Sequence, residues 1–170
     1  MPVSEGWSAD TAVGEMYAAH YRSLVRLSVL LVRDVETAEE VVQDAFVAMH
    51  GRWRRLREPD KALAYLRQCV VNRSRSVLRH RGVRARHVPA PPLEGPGSDA
   101  DVMAAERRTH VLDALRELPE RQREVLVLRY YLDLTEARIA ETLGISRGAV
   151  KSHASRGAAR LRELLEDVHE

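Results

Sequence analysis

Between residues 142 and 161 the chain reads TLGISRGAVKSHASRGAARL. On a helix, Arg147 would neighbour Lys151, and Ser152 would neighbour Arg156, since neighbours on a helix surface lie three to four residues apart. Gly148 and Ala149, beside them, carry almost no bulk. This set is suited to holding a polyanion rather than to making or breaking bonds. Cations and a hydroxyl can meet phosphate oxygens and base edges, and the missing bulk lets the backbone come close. Arginine can pair bidentately with guanine, while Ser152 suits either a base or a phosphate. His153 adjoins the apolar seam and reads either as a packing residue or as a base reader.

Such a face needs a support that fixes its angle. Ala140, Gly144 and Val150 have the spacing of a helix-turn-helix. A small residue at 140 lets a second helix cross, and Gly144 can take the positive φ of a tight turn. Ile139, Leu143, Ile145 and Val150 would make the core between the two helices. Thr135 and Ser146 are suited to cap their starts. The same residues also allow a plain helical hairpin with a solvated basic face.

A second group of cations lies upstream. Six arginines and no acid occur between Asn72 and His87, among them Arg73, Arg75 and Arg79, with Ser76 between. Earlier, Trp53, Arg54, Arg55 and Arg57 combine an aromatic face with positive charge, a pairing that suits unstacked bases. Trp53 serves equally well as a core anchor.

Of 27 basic residues 25 are arginine, the exceptions being Lys61 and Lys151. Arginine favours phosphate and planar-group recognition, though a GC-rich genome gives the same usage. Net charge is only +2, so distribution carries the information. The single cysteine, Cys69, excludes an internal disulfide or a cysteine-based zinc site. Neither a His-Glu-x-x-His motif nor a glycine-rich phosphate loop occurs, so the reading is not an enzyme, with no catalytic residue, no metal, no cofactor and no small-molecule substrate. MPVSEGWSAD lacks a signal-peptide pattern, and no apolar run reaches ~18 residues, so a cytoplasmic protein without membrane insertion is expected.

Aliphatic residues at helical spacing and the lack of period-2 runs predict an all-α fold. Val13, Tyr17, Tyr21, Leu24, Leu27 and Leu31 outline a first helix. Asp34 is placed to cap a second, with Ala38, Val41, Val42, Ala45, Phe46 and Met49 inward. Pro59 opens a third, with Leu63, Leu66, Val70, Val77 and Leu78 inward. Residues 86–102, rich in proline and glycine, separate residues 10–85 from residues 103–170 and read as a flexible linker between two small helical domains. The second domain should hold about four helices, one opened by Pro119, around a core that is marginal at ~65 residues.

The segment LRELPERQREVLVLRYYLDLTEARIAETLGISRGAVKSHASRGAARLREL resembles region 4 of the extracytoplasmic-function (ECF) RNA polymerase sigma factors. VETAEEVVQDAFVAMHGRW and AYLRQCVVNRSRSVLRHR resemble region 2 of the same family, in the same order. The run EVLVLRYYLDLTEA is most like an actinobacterial branch. Two positions depart from the family's pattern. Arg138 stands where glutamate is frequent, and Lys151, Ser152 and His153 stand where Lys-Ser-Arg is usual.

The resemblance implies a transcription initiation factor with three surfaces. Core RNA polymerase, through a coiled coil of its largest subunit, would meet Glu40, Gln43, Asp44 and Val47 on the second helix, and its flap would be a further contact. The promoter −10 element would be recognised and melted by Trp53, Arg54, Arg55, Asn72, Arg73, Arg75, Ser76 and Arg79. The −35 element would be read as duplex by Arg147, Gly148, Lys151, Ser152 and Arg156. Fifteen linker residues span at most about 50 Å; two domains each about 30 Å wide supply the rest of the ~70 Å between sites two helical turns apart. Glu94, Asp99 and Asp101 would keep that linker soluble. An anti-sigma factor is a partner the resemblance allows. The alternative is a free-standing helix-turn-helix regulator that binds duplex operators without polymerase.

Overall fold

A computed structural model describes residues 8–81 and 99–167, and among these the chain forms seven helices and no strand. They are α1 Ala9–Val32, α2 Val35–Leu56, α3 Pro59–Arg81, α4 Asp99–Glu117, α5 Glu120–Tyr130, α6 Glu136–Leu143 and α7 Arg147–Glu166. The expected linker therefore ends early. Residues 99–102 are helical, and Asp99 and Asp101 occupy the first turn of α4, where carboxylates favour a helix start. Residues 86–98 lie outside the described residues.

The first three helices pack on one another. All six residues expected inward on α2 are buried, and Trp53 continues the same stripe. On α1 the stripe is shifted slightly. Ala12, Met16 and Ser28 are buried, whereas Tyr17 is partly exposed and stacks on Tyr21 with centroids 4.4 Å apart. On α3 the buried residues are Ala62, Leu66, Val70, Val71 and Ser74, with Leu63, Val77 and Leu78 half-buried.

Helix ends follow local chemistry. The Ser8 hydroxyl accepts from the Thr11 N–H at 3.2 Å and starts α1. Arg33 closes α1 in the left-handed region, φ 61°, its N–H donating to the Val29 carbonyl. Arg57 closes α2 in the same way, and its Nε donates to the Arg54 carbonyl at 2.8 Å. Asp34 occupies the cap position of α2 but does not cap with its carboxylate, which accepts from the Thr37 hydroxyl and from Arg81. Those two partners hold its carboxyl below the ordinary carboxylate range, Thr37 contributing most.

Where α1 crosses α3, the fully buried hydroxyls of Ser28 and Ser74 are 2.9 Å apart. Breaking such a pair from one side leaves a buried polar group without its partner, which costs about 1–3 kcal/mol, whereas removing both is far milder. Ser28→Ala or Ser74→Ala alone should therefore destabilise the chain more than half as much as both together. Chemical denaturation of the three variants, treated as a double-mutant cycle, measures the difference, and simple additivity would refute it.

In the second group α5 is the central helix. Arg123 to Leu128 are all buried, because α1, α6 and α7 surround it. That accounts for a sequence with little helical periodicity. Gly157 of α7 lies against α5. A Cβ there would be 3.2 Å from Gln122 Cβ and from Leu126 Cδ1, tighter than ordinary side-chain contact, so the helices meet closely and even an alanine would need its neighbours to give slightly.

The two groups do not stand apart. The helices α4 and α5 lie along α1, and α6 lies along α3. The Arg33 guanidinium pairs with Asp113, Arg116 Nη1 donates to the Val32 carbonyl at 3.1 Å, and the Tyr131 hydroxyl donates to the Ser23 carbonyl at 3.1 Å. A second half with a marginal core is thus propped against the first.

Candidate nucleic-acid interface

The corner between α6 and α7 is built by short-range hydrogen bonds. The Thr135 hydroxyl accepts from the Arg138 N–H at 3.2 Å, and the Ser146 hydroxyl accepts from the Ala149 N–H at 3.0 Å. Gly144 adopts φ 66°, and its N–H and that of Ile145 both donate to the Ala140 carbonyl. Ile139, Ala140, Leu143 and Val150 are buried beneath the turn, and Ile145 is half-buried. This fixes the first turns of α7 at the surface. Arg147, Gly148, Lys151, Ser152 and Arg156 are all exposed, and the Lys151 ammonium lies a loose 3.9 Å from Glu136. His153 is half-buried beside Ala154, in a position between packing and display.

The upstream cations divide into two groups. Arg54 and Arg55 are exposed at the end of α2, and Asn72, Arg73 and Arg79 are exposed on α3 with Ser76 beside them. Trp53 is only 7 % exposed. The stacking role expected of it gives way to the core role, because it sits one turn beyond Met49 on the buried stripe of α2. Arg75 is also withdrawn from solvent. Its Nη2 lies 2.5 Å from Glu124 Oε2, its Nε donates to both oxygens of that carboxylate at 3.1 and 3.2 Å, and its Nη1 donates to Asn72 Oδ1 at 3.4 Å. Glu124 holds the Arg75 guanidinium firmly protonated, raising its pKa against the opposing effect of burial. Arg79 donates from Nη2 and Nε to Glu120 at 2.9 and 3.3 Å.

On α2 the face opposite the core exposes Glu36, Glu39, Glu40, Gln43, Asp44 and Val47. Val47 is 72 % exposed, an apolar side chain amid acids. Two concave features were not legible in the sequence. Leu126, Tyr130, Ala158, Leu161 and Leu165 line an apolar groove of about 450 Å³ between α5 and α7. A cleft of about 260 Å³ between α3 and α6 includes Lys61, Arg67, Arg138 and Glu141. Burial, and then the nearby Arg138, push the Arg67 guanidinium below its usual pKa. In the sequence only Arg138 hinted at either, as a departure from the family's pattern, whereas the exposure of Tyr130 shows in the fold alone. Among the described residues no cluster of His, Cys, Asp or Glu could hold a metal, and no helix is long and apolar enough to cross a membrane.

Residues 16–84 match the family model for sigma-70 region 2, and residues 109–161 match that for sigma-70 region 4. The RNA polymerase sigma-E factor of Streptomyces coelicolor is 36% identical over 144 residues, covering 84% of this chain and 80% of that protein. The ECF RNA polymerase sigma factor SigM of Mycobacterium tuberculosis is 34% identical over 155 residues, covering 91% of this chain and 77% of that protein. The chain belongs to the ECF sigma factors. Both relatives are actinobacterial, in keeping with the branch that the EVLVLRYYLDLTEA run resembles. The ECF fold is matched by CnrH, solved with the cytosolic domain of CnrY, at TM-score 0.69 and 25% identity over 94% of this chain and 95% of that one. The sigma factor RpoE of Bartonella quintana, solved with the anti-sigma factor NepR, shares the fold at TM-score 0.72 and 22% identity, over 90% of this chain and 96% of that one. This ECF sigma factor is a transcription initiation factor that directs RNA polymerase to promoter DNA. A free-standing regulator is the less favoured reading, since the first half matches region 2 along nearly its whole described length.

Proposed function

We propose that this ECF sigma factor divides its work among three surfaces. Glu40, Gln43, Asp44 and Val47 on α2 dock on core polymerase. Arg54, Arg55, Asn72, Arg73, Arg75, Ser76 and Arg79 recognise and melt the −10 element. Arg147, Gly148, Lys151, Ser152 and Arg156 read the −35 element in the major groove. The observation that carries this reading is the display of the first turns of α7, side chains outward, over a corner held by Gly144 and two hydroxyl caps. A helix so held can enter a groove by its N-terminal end.

The acidic face of α2 suits a basic partner helix, with Val47 as an apolar contact within a polar rim. The protein works in the cytoplasm and carries no catalytic activity, cofactor or small-molecule substrate of its own. An anti-sigma factor is proposed as a further partner, in line with CnrH being held by the cytosolic domain of CnrY.

Reconstitution with purified core polymerase tests the whole reading. Promoter-specific transcripts should require both components, and their absence at every promoter of the source genome would refute it. Within that assay Glu40→Ala, Gln43→Ala and Asp44→Ala together should weaken core binding at least about tenfold. The thermal melt should be unchanged, since all three side chains are exposed. Retained core affinity would reject the α2 assignment.

A further inference from the structure

The cleft between α3 and α6 holds charge that the fold leaves unbalanced. Its walls carry three cations, Lys61, Arg67 and Arg138, and one acid, Glu141. Lys61 is met loosely by Glu58, at 3.7 Å. Among the described residues, no carboxylate lies within ion-pair distance of the two guanidiniums. Arg67 is half-buried, whereas Arg138 is exposed. Taking a cation out of water is costly unless an anion pairs with it. Here the charged group that acts most on Arg67 is a second guanidinium, and burial and that neighbour both disfavour its charge. The same excess reaches α1, where burial and then Arg67 hold the half-buried His20 imidazole below the ordinary histidine pKa.

Arg138 stands where glutamate is frequent among the sigma factors this chain resembles. A glutamate there would offer Arg67 an opposite charge. Arginine instead sets two like charges around a concave space, an arrangement that an anion from outside resolves. Leu56, Tyr65 and Leu134 give the cleft an apolar side, and a lower local dielectric strengthens any ion pair made beside it. The Thr142 hydroxyl is already used, donating to the Arg138 carbonyl at 2.8 Å, so Gln68 is the neutral donor left on the wall.

We propose that the α3–α6 cleft binds a small phosphate-bearing anion, gripped by Arg67 from one helix and Arg138 from the other, with Lys61 adding a third charge. The planar fork of arginine matches two phosphate oxygens at once. The cleft's volume of about 260 Å³ lies below the range of about 300–1,000 Å³ typical for drug-sized ligands. It therefore suits a diphosphate group better than a whole cofactor. The site is separate from both promoter surfaces. Its α3 residues precede Asn72 by a turn or more, and its α6 residues lie on the helix that supports α7.

Isothermal titration calorimetry of the full-length chain with pyrophosphate, at about 0.15 M salt, is the test. Wild type should bind one equivalent with a Kd below about 1 mM. Arg138→Glu and Arg67→Gln should each weaken binding at least about tenfold, as the loss of a charged hydrogen-bond partner does. A control, Arg107→Gln/Arg108→Gln, removes two exposed cations of α4. It should stay within roughly twofold of wild type, because exposed charges are screened at that salt. Pyrophosphate should also raise the melting temperature of wild type and leave that of Arg138→Glu unmoved. Adenosine diphosphate separates the two sources of the same chemistry. Tighter binding than pyrophosphate identifies a nucleotide, and equal or weaker binding identifies the free diphosphate.

No heat of binding from wild type at about 5 mM pyrophosphate overturns the proposal, as does a control that loses as much affinity as Arg138→Glu. If Arg67→Gln weakens single-stranded DNA binding while wild type ignores pyrophosphate, these cations serve nucleic acid and the proposal also falls. Should Arg67→Gln not fold, Arg138→Glu carries the test, since its side chain is exposed.

Discussion

Replacing Arg123 by alanine is expected to lower the stability of the second half by about 3 kcal/mol, far more than the loss of a surface cation would. Arg123 is a buried cation whose partners are carbonyls. Its Nε donates to Leu115 at 2.8 Å, and its Nη2 donates to Arg116 at 3.0 Å and Leu118 at 2.9 Å. Those carbonyls form the end of α4 and the turn into α5, where a helix leaves acceptors without internal partners. Positive charge is favoured at that end by the helix dipole. Burial, followed by the nearby Arg116, pushes the guanidinium below its usual pKa, but it remains charged at any accessible pH. Truncation would leave three acceptors inadequately solvated beneath Leu118 and α5. Arg123→Lys should recover only part of the loss, since an ammonium lacks the planar fork that reaches three carbonyls at once. Urea denaturation monitored by circular dichroism measures both variants, and a loss below about 1 kcal/mol for alanine would show that water replaces the guanidinium readily.

The second large effect concerns α7. Lys151→Ala with Arg156→Ala should reduce transcription from a −35-dependent promoter roughly thirtyfold or more, each lost contact being worth about 1–3 kcal/mol. Both side chains are exposed and neither supports the fold, Lys151 having only its distant Glu136. Core polymerase affinity should therefore stay at the wild-type value. The loss should also shrink as salt is raised, because fewer counterions are released by the variant. Titration of holoenzyme on promoter DNA at two ionic strengths gives both quantities. An unchanged −35 preference would reject α7 as the recognition helix.

Much of the fold was legible in the sequence wherever cause and effect lie within one or two helical turns. The buried stripe of α2 follows from spacing, and the corner follows from Gly144 with Thr135 and Ser146, because caps and turns are local chemistry. Trp53 pointed two ways, since the same ring suits a core or a base, and only its alignment with Phe46 and Met49 decides for the core. Arg123 shows no sign of burial in ERQREVLVL, because its carbonyl partners have no side-chain signature. Arg75 could be assigned a charge and a face, but its partner lies 49 residues away across a contact that no local pattern encodes. The start of α4 at Asp99 was missed because the glycines and prolines before it masked its acidic first turn.

The tight crossing at Gly157 has a mechanical consequence. The buried run Arg123 to Leu128 resides on α5 and the exposed first turns on α7, and those helices touch where no side chain intervenes. Close-packed contacts transmit displacement with little give, so a tilt of α5 is carried to the exposed face of α7.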